Sequence, residues 1–217
     1  MVEQFLKIRK WTPKIFSDLF SYLDHLDSNE KCKVIFRITE RLVESNSCDD
    51  NKTAEELLIF ASENYLASAN GDAKALIFYR LGQLYEKCFE DYSTAFEYYK
   101  MYASHNTEFD NVNSLLLRAI LLRDDFIYSE EMENYLKLSY GEINLGLRND
   151  RIYEHIGSLL VARKNGDEKM CEIYTKRIKA IVKAEDAIIF DLLMRKDTVR
   201  DTLMVPKKVF DFIDALQ

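Results

Sequence analysis

A pattern of large and small residues recurs along this chain, and it restricts the possible folds more than any other feature. Over 75–103, ALIFYRLGQLYEKCFEDYSTAFEYYKMYA, the residues Phe78, Leu81, Gly82 and Tyr85 are followed by Ala95 and Tyr99. A shift of 37 residues carries Phe78, Tyr85, Ala95 and Tyr99 onto Leu115, Leu122, Met132 and Leu136, and Gly82 onto Ala119. A shift of 75 gives Tyr153, Ile156, Gly157, Leu160, Met170 and Tyr174. Phe78, Tyr85 and Tyr99 fall on apolar or aromatic residues in both shifts, and Gly82 falls on a small residue each time. Spacings of three and four residues place the large groups on one helical face. A residue without a bulky side chain lets two antiparallel helices approach closely where they cross. Self-similarity at a fixed period is the mark of a stacked array.

The order Phe78-x2-Leu81-Gly82-x2-Tyr85, then Ala95-x3-Tyr99, resembles the tetratricopeptide repeat, a helix–turn–helix unit of about 34 residues. The resemblance implies an all-α fold, a right-handed superhelical stack of antiparallel helix hairpins. Three pairs are expected over 70–186, at about 75–111, 112–149 and 150–186. Residues 1–69 would hold N-terminal helices, including a degenerate pair from about 31 to 69 with Thr39 at the small position. Residues 187–217 would supply a capping helix and an amphipathic tail helix, all in one continuous domain.

Composition agrees with helices. Hydrophobic residues make up 47 %, enough for a sizeable core, and only six Gly and two Pro occur in 217 residues. Sandwiches and barrels need such punctuation at each short strand, so an all-β fold is not expected. Net charge is −7 with both signs interspersed. Direct nucleic-acid binding needs a clustered cationic face and is not expected. The start, MVEQFLKIRKW, lacks a cationic stretch followed by a long apolar run, so no export signal is read there. No run approaches the ~18 apolar residues of a spanning helix, so no membrane insertion is expected. Cys32, Cys48, Cys88 and Cys171 are dispersed and read as reduced thiols of a cytoplasmic protein.

Local signals punctuate the chain. Thr12-Pro13 is a helix start, followed by Ile15, Phe16, Leu19, Phe20, Leu23 and Leu26 on one face. Asp27 with Glu30 begins the next helix, which carries Val34, Ile35, Ile38 and Leu42. Residues 45–52 read as a loop, and Thr53-x-x-Glu56 as a capping box opening a helix to Leu66. Asn70-Gly71-Asp72 reads as a helix end, with Gly71 in a left-handed cap and Asp72 starting the next helix. Asp91, Ser129 and Asp167 are the expected caps of second helices, and Asn165-Gly166 is an expected turn.

No catalytic constellation emerges. His25, His105 and His155 have no second His or Cys at metal-binding spacing. There is no G-x-S-x-G, no phosphate-binding glycine loop and no H-E-x-x-H. Adjacent acids at Asp49-Asp50, Asp124-Asp125 and Glu130-Glu131 read as solvated turns and helix starts. No enzyme, cofactor or metal is expected. The resemblance implies instead a binding scaffold whose concave face is built by the first helix of each pair. The inner-face positions are Leu76, Tyr79, Gln83 and Glu86 in the first pair. They are Asn113, Leu116, Ile120 and Arg123 in the second, and Arg151, Glu154, Ser158 and Val161 in the third. Such a lining suits an amphipathic helix or an extended peptide with apolar anchors, unless residues 1–69 or the tail close the groove. Members that grip a C-terminal carboxylate use Lys, Asn and Arg at places held here by Tyr79, Gln83, Leu117, Arg151 and His155. Only Arg151 keeps a full cation, which argues against that mode. A peptide-sensing regulator and a chaperone for a secreted protein are the alternative roles. Val209, Phe210, Ile213 and Leu216 share one face after Pro206, either packed on the array or docking another chain, including a second copy.

Overall fold

The computed structural model describes residues 2–8, 10–45, 47–105, 112–140 and 150–195; at 150 and 182–195 it describes the backbone alone. Among the described residues there are ten α-helices and no strand. They fall into two compact units, Met1–Val112 and Asn113–Gln217.

The first unit begins with α1 (Val2–Phe5), α2 (Pro13–Leu23), α3 (Ser28–Glu44) and α4 (Cys48–Asn64). The hydroxyl of Thr12 accepts from the Ile15 amide at 3.4 Å, and Pro13 fills the first turn of α2. Asp27 Oδ1 accepts from the Glu30 amide at 2.9 Å and starts α3. Leu19 and Leu23 of α2 are fully buried, with Ile35, Ile38 and Leu42 of α3 in the same core. The loop before α4 is shorter than the sequence suggests. α4 opens at Cys48, because Asp49 and Asp50 complement the positive end of a first turn. Thr53 therefore lies inside the helix, where its hydroxyl donates back to the Asp49 carbonyl at 2.9 Å and caps nothing.

After a 3₁₀ turn (Leu66–Ser68) come α5 (Gly71–Lys87) and α6 (Tyr92–His105). Asn70, expected to end a helix, starts one: its side chain accepts from the Ala73 amide at 2.9 Å. Gly71 is then an ordinary helical residue, without a positive φ. The chain leaving α4 meets the start of α3 through Ser28 and Ser68, 2.7 Å apart, and through Asn29, which accepts from the Asn70 amide at 2.8 Å. α3 and α4 are thus antiparallel. So are α5 and α6: Gly71 abuts the His105 carbonyl, Phe78 stacks on His105 and Tyr98, and Tyr85 stacks on Tyr98. Between them Asp91 caps α6, accepting from the Thr94 amide at 3.0 Å. Glu90, just before it, has φ 54°. α5 packs against α3, α4 and α6.

The second unit takes up most of α7 (Val112–Leu122), then α8 (Glu130–Ser139), α9 (Asp150–Lys164) and α10 (Glu168–Arg195). Ser129 accepts from the Met132 amide at 3.2 Å and Asp167 from the Met170 amide at 3.0 Å, so both expected caps form. Gly166 supplies the turn at φ 67°. α9 packs against both α8 and α10. Residues 185–195 continue α10 without a break. Residues 196–217, including the expected tail helix, lie outside the described residues.

Candidate functional site

In the first unit the pattern found in the sequence becomes a contact. A Cβ at Gly82 would stand 2.5 Å from Cε1 of Tyr99, so the α5 backbone lies directly against that ring. The Tyr99 hydroxyl donates to Glu86 Oε2 at 2.6 Å, which explains a carboxylate with only 7 % exposure. Glu86 is therefore turned into the α5–α6 pair. Leu76, Tyr79 and Gln83 are half-buried on α5. Gln83 Nε2 donates to the Tyr79 hydroxyl at 2.7 Å, and the Tyr79 ring rests on Tyr102.

Sequence reasoning missed the residue that organises this face. Arg80 is 7 % exposed; it donates to Gln83 Oε1 at 2.8 Å and to Glu40 Oε1 at 2.9 Å, and lies 4.4 Å over the Phe36 ring. One guanidinium thus ties α5 to α3. Its signal lies across helices, in Phe36 and Glu40 some forty residues earlier, where no local pattern exposes it. On the same helix the Tyr85 hydroxyl donates to Glu55 of α4 at 2.5 Å. Burial, then that bond, pushes the Tyr85 phenol far above its ordinary value.

In the second unit the expected lining divides. Leu116 and Ile120 are buried at 2 % and 5 % exposure, and Glu154 and Ser158 are buried too. Asn113 is half-buried. Arg123 is folded onto Asp125 by bonds of 2.9 and 2.7 Å from Nε and Nη2. Arg151 is exposed and Val161 half-buried. Leu136 and Leu117 are the nearest neighbours of a Cβ built at Gly157, at 3.2 and 3.6 Å. The small residue of α9 thus faces the preceding helices, whereas Gly82 faces its own partner. Beside it lies a cavity of about 210 Å³ walled by Leu136, Ser158, Val161, Ala162, Met170 and Tyr174. Asn165 and Asp167 complete the lining. Ser158 Oγ donates to the Glu154 carbonyl at 2.8 Å and shares a 2.6 Å hydrogen bond with the Tyr140 hydroxyl.

Burial raises the Cys32 thiol to about 11 and raises Cys88 as well, so neither supplies a ready thiolate. Among the described residues no group of three His, Cys, Asp or Glu converges as a metal site requires. Among those residues, too, no helix is long and apolar enough to cross a membrane. No protein-family model, curated protein or solved structure matches this chain.

Proposed function

We propose that the chain is a helical-repeat scaffold, similar to tetratricopeptide repeat proteins, that binds a protein or peptide without covalent chemistry. The observation that carries this reading is the setting of α5. It packs against both helices of the preceding pair and against its own partner, yet leaves Leu76, Tyr79 and Gln83 partly open to solvent. That is how the first helix of a stacked pair presents a face while its neighbours bury the rest. The superhelical stack, the cytoplasmic setting and the absence of catalysis belong to this proposal. The Tyr79–Gln83–Arg80–Glu40 chain of hydrogen bonds fixes the side chains before a partner arrives, which lowers the entropy lost on binding.

The test is capture of partners from lysate of the native source with the tagged full chain, with Tyr79→Ala and Lys52→Ala variants in parallel. A protein recovered by the wild type and by Lys52→Ala, but lost with Tyr79→Ala at unchanged helicity, is the expected result. Equal recovery by all three would remove the α5 face from the function.

A further inference from the structure

The seam between α9 and α10 combines two features of different chemistry. Arg151, His155, Ser158, Ala162 and Asn165 follow one another at spacings of four and three, a continuous stripe along α9. One end of the stripe runs into the 210 Å³ cavity, whose aliphatic wall is Leu136, Val161, Ala162 and Met170. The other end is cationic. His155 lies 6.1 Å from the Tyr174 ring, centroid to centroid, and Arg177 stands 5.6 Å over the same ring. Tyr174 therefore belongs to both features.

The cationic end also holds Glu154, buried on α9, but its two arginines lie exposed. Elsewhere on this hairpin Lys164 pairs with Glu133 at 2.8 Å and Lys176 with Glu172 at 2.6 Å. Arg151 and Arg177 form no ion pair with a described carboxylate, and both are exposed. His155 Nδ1 is buried and meets no hydrogen-bonding partner among the described residues. Such a cluster costs electrostatic energy while empty, and an anion relieves it.

We propose that this seam holds a peptide segment in the polyproline-II conformation, bearing an aliphatic side chain and, three residues along, a carboxylate. The aliphatic group enters the cavity and the carboxylate lies between Arg151 and Arg177, beside His155. The spacing follows from the helix: six residues from His155 to Val161 rise about 9 Å, and three residues of polyproline II also span about 9 Å and bring the side chain back to the same face. The proposal deepens the binding reading above and rests on it, by naming the chemistry of one partner segment.

Protonation should report occupancy. The groups around His155 are Arg151 and the adjacent Glu154 on α9, with Tyr174 and Arg177 on α10; Tyr140 at the end of α8 faces Tyr174, Glu154 and Arg177. Burial, then the charges of Arg177 and Arg151, hold the imidazole below its ordinary value, so it is neutral at pH 7. A carboxylate beside it favours the charged form. Binding then takes up a proton, and affinity rises as pH falls from 8 toward 6.

The experiment is fluorescence anisotropy of the full chain with a labelled Gly-Leu-Gly-Gly-Glu-Gly peptide, against the same peptide with Lys for Glu or Ala for Leu. Tight binding of the first alone is expected, weakened about tenfold by Arg151→Ala or Arg177→Ala and abolished by Val161→Asp. Proton NMR of His155 should show its titration moving upward when the peptide is added. Equal binding of the Lys peptide, no binding at millimolar concentration, or an unmoved His155 titration overturns the proposal. Tighter binding by a synthetic 203–217 segment, or displacement of the probe by a second copy of the chain, assigns the seam to self-contact and overturns it as well. Loss of partner capture by Tyr79→Ala alongside silence at this seam would remove the proposal and leave the broader reading standing.

Discussion

A methyl group added at Gly82 would stand 2.5 Å from Cε1 and 2.6 Å from Cδ1 of Tyr99. Tyr99 is fully buried and bonded to Glu86, so the ring has nowhere to swing. Gly82→Ala should therefore cost about 1–3 kcal/mol, the usual range for overpacking a tight core. Gly166 is required for the opposite reason. Nothing lies within 4 Å of a Cβ there, but its φ of 67° strains any side chain. Gly166→Ala should cost about 1–2 kcal/mol through the backbone alone. Urea unfolding separates the two causes. In a Tyr99→Leu background most of the Gly82→Ala penalty should vanish, while the Gly166→Ala penalty stays whole. A Gly82 penalty that persists in that background would mean the ring is not its source. Glu90 completes the set: at φ 54° it carries strain that glycine lacks, so Glu90→Gly should stabilise the α5–α6 turn.

At the scale of elements, α4 shows where sequence reading stops. Thr53-x-x-Glu56 has the form of a capping box, yet α4 starts five residues earlier. A cap is specified by which amides are orphaned, and that depends on where the tertiary core begins the helix. Asn51 and Ala54, buried at 6 % and 0 %, already belong to that core. The two readings give different numbers. As a cap, Thr53 replaced by alanine would cost about 1 kcal/mol. As an interior residue whose hydroxyl turns back to the Asp49 carbonyl, it should cost nothing and gain a few tenths of a kcal/mol from helix propensity. Thermal melting of Thr53→Ala tests this directly, and a clear drop in melting temperature would return the cap to Thr53. The caps at Asp27, Asp91, Ser129 and Asp167 were legible because each precedes a helix whose apolar spacing starts abruptly. Asn70 carried the same signal, but Gly71 beside it suggested an end.

For the whole molecule, helices, turns and the small-against-large contact were readable, because each arises from residues close in sequence or from a repeated spacing. The site was less so. Burial of Glu86 depends on Tyr99, and the setting of Arg80 depends on Phe36 and Glu40, partners that periodicity does not name. Nor does spacing reveal that Gly157 faces Leu136 and Leu117. These contacts do predict how the chain opens. The core of the first unit joins α2, α3, α4 and α5 through Leu19, Ile38, Leu57, Ile77 and Leu84, each at most 1 % exposed. α6 seals α5 through Tyr99. Loosening that contact should lower the free energy of opening throughout this core, since packed helices open as cooperative groups. Gly82→Ala should thus speed amide hydrogen exchange in peptides from α3 to α6. Exchange in α9 and α10, held within the second unit by Gly157 against α7 and α8 and by the buried Ile178, should stay at the wild-type rate. Mass spectrometry resolves the two regions in one experiment. Faster exchange by the same factor in both would show that the units open as one body, and would exclude the local coupling on which a repeat array depends.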